Sequence, residues 1–324
     1  MKRLRFNLQA RAPFRLDLTA WALRRRPRNC IDRWDGSWYS RVLVVDAVPV
    51  HLSCRQVAPA ERPQIECVCV CFESALKSER MGAVIEHLLG LSVDLSDFER
   101  LARSDSRLRS LAARFSGFHP PRFPTVFEAA VNAVCCQQLS IEAGLEMLSR
   151  LSLRTGTMFK NGAPCVGPPE PHELARLSSA DLFELGFSRH KARALLGLAR
   201  IFAASADPFG HLAGIDHQSA VNLLMQLKGI GRWSAEYILL RGVGNLSVFP
   251  GDDVAAAKGL HEWLGIGGSD QRLGYDEIHA ALQRWAPFQG LIYFHLLLAN
   301  LARRGWLDSA LPLPMGDERY RDRV

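Results

Sequence analysis

The 324-residue sequence predicts an α+β fold: a mixed α/β unit over residues 1–118, a mainly helical region over 119–310 and a charged tail over 311–324. Three observations predict it. Valine-rich stretches at 39–50 and 65–72 lie in the first part, and Gln64-Ile65-Glu66-Cys67 alternates apolar with polar as strands do. Beyond them, apolar residues recur at helical spacing with caps and glycines between the runs. His119-Pro120-Pro121 separates the two regimes. A chain this long, with 48% hydrophobic residues, can bury a sizeable core.

Taken in order, 18–25 reads as a short helix carrying the triplet Arg24-Arg25-Arg26, which suits a solvated face better than a phosphate contact. Helical spacing returns at 80–89 and again at 97–115. Thr125-Val126-Phe127-Glu128 reads as a capping box ahead of a long apolar helix, which ends at Cys135-Cys136-Gln137-Gln138-Leu139-Ser140, with Ser140 placed to cap the next helix. The Gly- and Pro-rich stretch 155–171 reads as a surface connection. Two helices follow over 179–204; Arg189 and Lys191, at the start of the second, read equally as phosphate contacts or as solvent-facing charge. Closing helices are predicted over 275–285 and 291–303, after a glycine-rich turn at 265–274, and 308–324 reads as a frayed tail.

The most informative stretch runs from Ala220 to Leu260. A helix over 220–227 is broken by Lys228-Gly229-Ile230-Gly231, where two glycines permit positive φ, and a second helix resumes at Arg232 with Trp233 and Tyr237 on one face. Such a hairpin presents bare backbone N–H groups where the helix dipole is positive, so a phosphate fits without regard to base. Val248-Phe249-Pro250-Gly251-Asp252-Asp253 then leads into another helix, and aspartate at a helix start is favoured by the dipole whether or not it has a further role.

The remaining composition narrows the partners. Lys and Arg total 40 against 33 acidic residues, a net charge of +7 that suits a polyanion without identifying one. Eight cysteines show no zinc-site spacing; Cys67, Cys69 and Cys71 alternate along a strand as small apolar residues, and reduced thiols are expected. No apolar run reaches membrane-spanning length, and the arginine-rich start lacks the apolar core of a secretory signal, so a cytoplasmic protein is expected.

The block Leu227-Lys228-Gly229-Ile230-Gly231-Arg232-Trp233-Ser234-Ala235-Glu236-Tyr237, followed by Phe249-Pro250-Gly251-Asp252-Asp253, resembles the signature of the helix-hairpin-helix DNA glycosylases, and within them the 3-methyladenine DNA glycosylase II branch. Phe123-Pro124 through Gln137-Gln138-Leu139-Ser140, Gly186-Phe187-Ser188-Arg189-His190-Lys191-Ala192, and Trp285-Ala286-Pro287-Phe288 with His295 are similar to further blocks of that family. The resemblance covers 120–306 well and 10–118 loosely. It implies an N-terminal antiparallel sheet domain with helices, followed by a mainly α-helical helix-hairpin-helix core.

For function, the resemblance implies a monofunctional glycosylase of base excision repair that flips alkylated bases of the 3-methyladenine and 7-methylguanine type out of double-stranded DNA. Asp253 would be catalytic, stabilising the oxocarbenium-like sugar. Trp233 and Tyr237 would line the base pocket, whose aromatic faces attract cationic rings. Gln138 would enter the gap left by the base, while Lys228, Gly229, Gly231 and Arg232 would face DNA. Backbone carbonyls of Met225, Leu227 and Ile230 would hold a Na or K ion. No other cofactor is expected, since the four-cysteine iron–sulfur cluster of some relatives is missing from the closing stretch. The lysine that gives bifunctional relatives their strand cleavage is replaced by Trp233, so no lyase activity is expected, and a monomer is. Leu296 and Leu297 stand where some members carry a further pocket tryptophan, which leaves substrate preference open. A glycosylase for neutral deaminated or oxidised purines, or a non-catalytic damaged-DNA-binding protein, is the alternative.

Overall fold

A computed structural model describes residues 1–72, 77–159, 165–205, 207–265 and 273–307. Its first part is a five-stranded antiparallel sheet of β1 (Lys2–Gln9), β2 (Arg33–Trp34), β3 (Trp38–Val45), β4 (Val48–Gln56) and β5 (Gln64–Cys71), in the order β1-β5-β4-β3-β2. The arginine-rich start is therefore an edge strand, with Arg3 opposite Val70 and Arg5 opposite Val68. Charged residues on alternate positions of an edge discourage further pairing. The valine-rich run 39–50 is a hairpin rather than one strand, because Asp46 and Ala47 both take positive φ and turn the chain.

One face of the sheet buries Cys54, Cys67, Cys69 and Cys71 with Tyr39, Val50 and Leu52 in the main core, and Cys30, Cys54, Cys67, Cys69, Cys135 and Cys136 are free thiols. Helix α1 (Leu16–Arg24) lies between this sheet and the last helix, and α2 (Ser78–Leu89) packs on β1. The predicted helix over 97–115 is two helices, α3 (Ser96–Ser104) and α4 (Ser106–Arg114). Asp105 separates them, its carboxylate accepting from the amides of Arg107 and Leu108 as an N-cap.

Helix α5 (Val126–Cys136) begins the helical region. Thr125 caps it, Oγ1 accepting from the Glu128 amide at 3.1 Å, but the capping box is not formed. Glu128 instead turns its carboxylate to Arg41 of β3, at 2.8 and 2.9 Å, and the same guanidinium donates to Asp32 at 3.1 Å. All three are buried, and Tyr39 also donates to Asp32, at 2.6 Å. A buried arginine needs more than one acceptor, and that demand overrides the local cap. The network fixes α5 against the sheet.

After α6 (Ile141–Thr155), the stretch expected to be a surface connection forms β6 (Gly156–Phe159) and β7 (Cys165–Pro169), a ribbon packed on β3 with β7 wholly buried. Phe159 and Cys165 cover the second face of the sheet with Val42, Val68 and Val70. Gly and Pro mark turns in the sequence, but here the ribbon's partner is distant, so the strands leave no local signal. Short helices α7 (Pro171–Ala175) and α8 (Ser179–Glu184) lead to α9 (Arg189–Ala204), α10 (His217–Met225), α11 (Arg232–Ile238), α12 (Val254–Leu264), α13 (Tyr275–Leu282) and α14 (Gln289–Arg303). Most of the glycine-rich turn at 265–274 and the tail at 308–324 lie outside the described residues.

Candidate active site

Between α10 and α11 the chain reverses in six residues. Only Gly229 takes positive φ (+87°), and a Cβ there would lie 2.5 Å from that of Ala194 on α9. Gly231 is extended (φ −95°, ψ 178°), caps α11 without a side chain and faces open space. The two glycines therefore have different reasons. One permits a backbone conformation and a close helix contact; the other leaves the first turn of α11 uncovered. Ile230, buried between them, anchors the turn, and its amide donates to Leu227 O at 3.0 Å. Lys228 and Met225 are exposed and Leu227 half-buried, on the outer side of the turn.

The loop after α5 meets this hairpin. Gln137 turns inward, Nε2 donating to Gly229 O at 2.8 Å and to Ser234 Oγ at 2.7 Å. Gln138 takes a left-handed conformation (φ 55°) and is exposed, and the exposed apolar Leu139 follows it. The double glutamine thus divides its work: the first ties the loop to the hairpin, and the second stands at the rim. Lys191, at the start of α9, donates to Cys135 O at 2.9 Å and is half-buried rather than solvent-facing.

The two aspartates also separate. Asp252 pairs with Arg232 at 2.8 and 3.0 Å, and that guanidinium lies 3.6 Å over the Tyr275 ring, so Arg232 has an acidic partner within the protein. Asp253 is the N-cap of α12. Its Oδ1 accepts from Ala255 N (3.0 Å) and Ala256 N (2.9 Å), while Oδ2 accepts from Trp233 Nε1 (3.2 Å) and the Tyr293 hydroxyl (3.0 Å). Capping and the expected site role thus fall on one side chain. The Gly251 amide steadies the loop by donating to buried Glu236 at 3.2 Å; Tyr275 donates to the same carboxyl, and His217 and His279 lie 4.0 Å from it. Burial raises the Glu236 carboxyl to about 7.

Asp253 opens into a groove of about 1230 Å³. Trp233 and Tyr237 stand in its wall with centroids 5.4 Å apart and planes 31° from parallel. Leu296, Leu297 and Asn300 of α14 face it, and Gln138 and Leu139 stand at its rim. Tyr293 lines it too, a residue that sequence reasoning missed because it looked like one more apolar position on α14.

Arg25 was also missed. The arginine triplet is neither a solvated face nor exposed to phosphate at Arg25 and Arg26, which are 4% and 8% exposed. Arg26 donates to Glu142 O (2.9 Å) and pairs with Glu146 (3.2 Å), and Arg25 reaches the groove. Helix α1 ends at Arg24 with Arg25 in the left-handed region, and that turn carries the side chain inward. Among the described residues, no group of three or more His, Cys, Asp or Glu side chains is placed to hold a metal ion, and no helix is long and apolar enough to cross a membrane.

A helix, a glycine turn and a second helix, with a fixed carboxylate facing an aromatic-walled groove, define a helix-hairpin-helix protein. The family model described as HhH-GPD superfamily base excision DNA repair protein matches residues 131–287. The DNA-3-methyladenine glycosylase of Bacillus subtilis is 26% identical over 221 residues, covering 68% of this chain and 72% of that protein. A Mycobacterium tuberculosis protein described as a probable bifunctional transcriptional activator/DNA repair enzyme AlkA is 27% identical over 306 residues; these cover 90% of this chain but 56% of that one. The solved 3-methyladenine DNA-glycosylase of Archaeoglobus fulgidus shares the fold, with a TM-score of 0.77 at 23% identity over 91% of this chain and 98% of that chain. Residues 131–287 thus match the HhH-GPD superfamily of base excision DNA repair proteins, and the relatives named support its 3-methyladenine glycosylase II branch.

Proposed function

We propose that the protein is a DNA N-glycosylase that extrudes alkylated bases from double-stranded DNA and hydrolyses the N-glycosidic bond, leaving an abasic site. The observation that carries this is the Asp253 carboxylate, held by Trp233 and Tyr293 at the mouth of the groove. Extruding a nucleotide costs a few kcal/mol and places C1′ where a fixed negative charge stabilises the developing oxocarbenium ion. An N3- or N7-alkylated purine leaves as a neutral base, so little acid catalysis is needed. The Trp233 face attracts its positive charge.

The grip is on backbone. Uncovered amides at the start of α11 suit a phosphate, and such contact weakens as salt rises. Carbonyl oxygens of Met225, Leu227 and Ile230 are a neutral, hard donor set, and they would hold Na or K at the turn to reinforce the attraction. Gln138, with the exposed Leu139 beside it, would fill the space that the base vacates. The position after the hairpin is Trp233, which cannot form a Schiff base, and Lys228 does not line the groove. The reaction therefore stops at the abasic site. A single chain carries the candidate grip, pocket and carboxylate, which supports a monomer acting on DNA.

The test is incubation with methylated duplex DNA and chromatography of the released bases. Free 3-methyladenine and 7-methylguanine are expected, with strand scission only after alkali or an abasic endonuclease. Nicking that borohydride traps as a covalent adduct would overturn the monofunctional reading.

A further inference from the structure

The loop that presents Asp253 is gripped from behind by α11 at two points. Trp233 holds the Asp253 carboxylate, and Glu236, on the same face of the helix, accepts from the Gly251 amide at 3.2 Å. Pro250 has no amide hydrogen, and Asp253 N bonds within the turn to Pro250 O at 3.0 Å. Among the described residues, the Gly251 bond is therefore the one hydrogen bond from the backbone of residues 250–252 to another element. The fit there is close: a Cβ on Gly251 would lie 2.7 Å from Tyr275 Cδ2 and 3.0 Å from His279 Nε2. Glu236 is fully buried, and its Oε1 accepts from the Tyr275 hydroxyl of α13. His217 Nε2 of α10 and His279 Nε2 of α13 lie 4.0 Å from that oxygen. Arg232 favours the ionised carboxyl from further off, and Asp252 opposes it. Burial holds both histidines below the usual imidazole range, against the pull of Asp216 on one and of Asp276 on the other.

Glu236 does not line the groove, so any effect it has on base release passes through the turn. An ionised carboxylate accepts charge-assisted hydrogen bonds from both Gly251 and Tyr275. A protonated one offers Gly251 only a neutral acceptor, and its own hydrogen competes with that of Tyr275. The turn is then held less firmly, and Asp253 with it. We propose that Glu236 is a positioning residue for base release: its ionised carboxylate, through the Gly251 amide, sets where Asp253 presents its charge to the sugar. The proposal rests on the glycosylase reading of Asp253 and adds what fixes that residue in place. Burial raises the Glu236 carboxyl to about 7, so it changes charge near neutral pH. Stability and activity thus respond in opposite senses. Base release gains as pH rises through about 7, the same range in which the folded state loses the contribution of Glu236.

The test is single-turnover release of 3-methyladenine from methylated duplex DNA, with protein in excess, between about pH 5.5 and about pH 8. Wild type, Glu236→Gln and Tyr275→Phe are compared. Dividing the wild-type rate by the variant rate at each pH cancels the titration of the substrate and of groups the two proteins share. A carboxamide accepts from Gly251 as the protonated acid does and never ionises. Glu236→Gln should therefore match wild type within about two-fold at the acid end and fall about ten-fold behind at the alkaline end. The limiting rate should carry the difference, with the half-saturating protein concentration unchanged, because the hairpin that grips backbone is untouched. The Tyr275 hydroxyl favours the ionised carboxyl, so Tyr275→Phe should move the rise in rate to higher pH while keeping the ring under Arg232. If Glu236→Gln does not fold, Tyr275→Phe alone decides. A wild-type to Glu236→Gln ratio that stays constant across the range, or a Tyr275→Phe profile that superimposes on that of the wild type, would overturn the inference and leave the glycosylase reading standing. No release of methylated base by the wild type at any pH would overturn both.

Discussion

Asp253 uses one oxygen to hold a helix and the other to face the groove, and substitutions can separate those roles. Asparagine caps as well as aspartate but carries no charge, so Asp253→Asn should keep stability while base release falls by about 100- to 1000-fold. Its affinity for abasic-site DNA should persist in a gel shift, because the hairpin that grips backbone is untouched. Asp253→Ala removes both roles and should also lower stability by about 1 kcal/mol, read from the melting temperature. Glu236, behind the same loop, should show in the pH profile. Its carboxyl is raised to about 7 by burial, so its contribution is fully present below the ordinary glutamate value and is lost as pH rises through about 7. Glu236→Gln should therefore flatten the loss of stability between about pH 5 and pH 8, by up to roughly 3 kcal/mol. In that variant the Tyr275 hydroxyl turns from donor to acceptor. The difference between wild-type and variant denaturant midpoints at the two pH values measures this, and an equal difference at both would contradict it.

The hairpin glycines, alike in sequence, differ in what they permit. Gly229 sits at φ +87° with Ala194 where its Cβ would go, so Gly229→Ala should destabilise the free protein by about 1–3 kcal/mol. Gly231 is extended and faces open space, so Gly231→Ala should leave the melting temperature nearly unchanged and weaken DNA binding, because the added methyl stands where phosphate would approach. A salt titration of binding reports that loss separately from stability. Helix existence and hairpin position were legible here because glycines and helical spacing are local signals. The two reasons for glycine were not, since one depends on α9, far away in the chain.

Across the whole molecule, the sheet serves the site by holding α5. Arg41 is buried with Asp32 and Glu128, and α5 leads directly into the Gln137–Gln138 loop that bonds the hairpin. Arg41→Met would strand two buried carboxylates and should cost about 3–5 kcal/mol in denaturant unfolding. Removing the exposed Arg80–Asp46 pair should leave the denaturant midpoint nearly unchanged. The N-terminal unit also supplies Arg25 to the groove, from the turn after α1.

The sequence by itself determined the α+β class, the helix–turn–helix around Gly229 and Gly231, and the helix that starts beside Asp253, because spacing, caps and glycines act over a few residues. It could not place the paired strands at 156–159 and 165–169, the turn of Glu128 away from its cap, or Arg25 inside the groove. Those were decided only by tertiary structure. A buried charge takes whichever partner the packed chain brings within reach, and that partner can lie a hundred residues away.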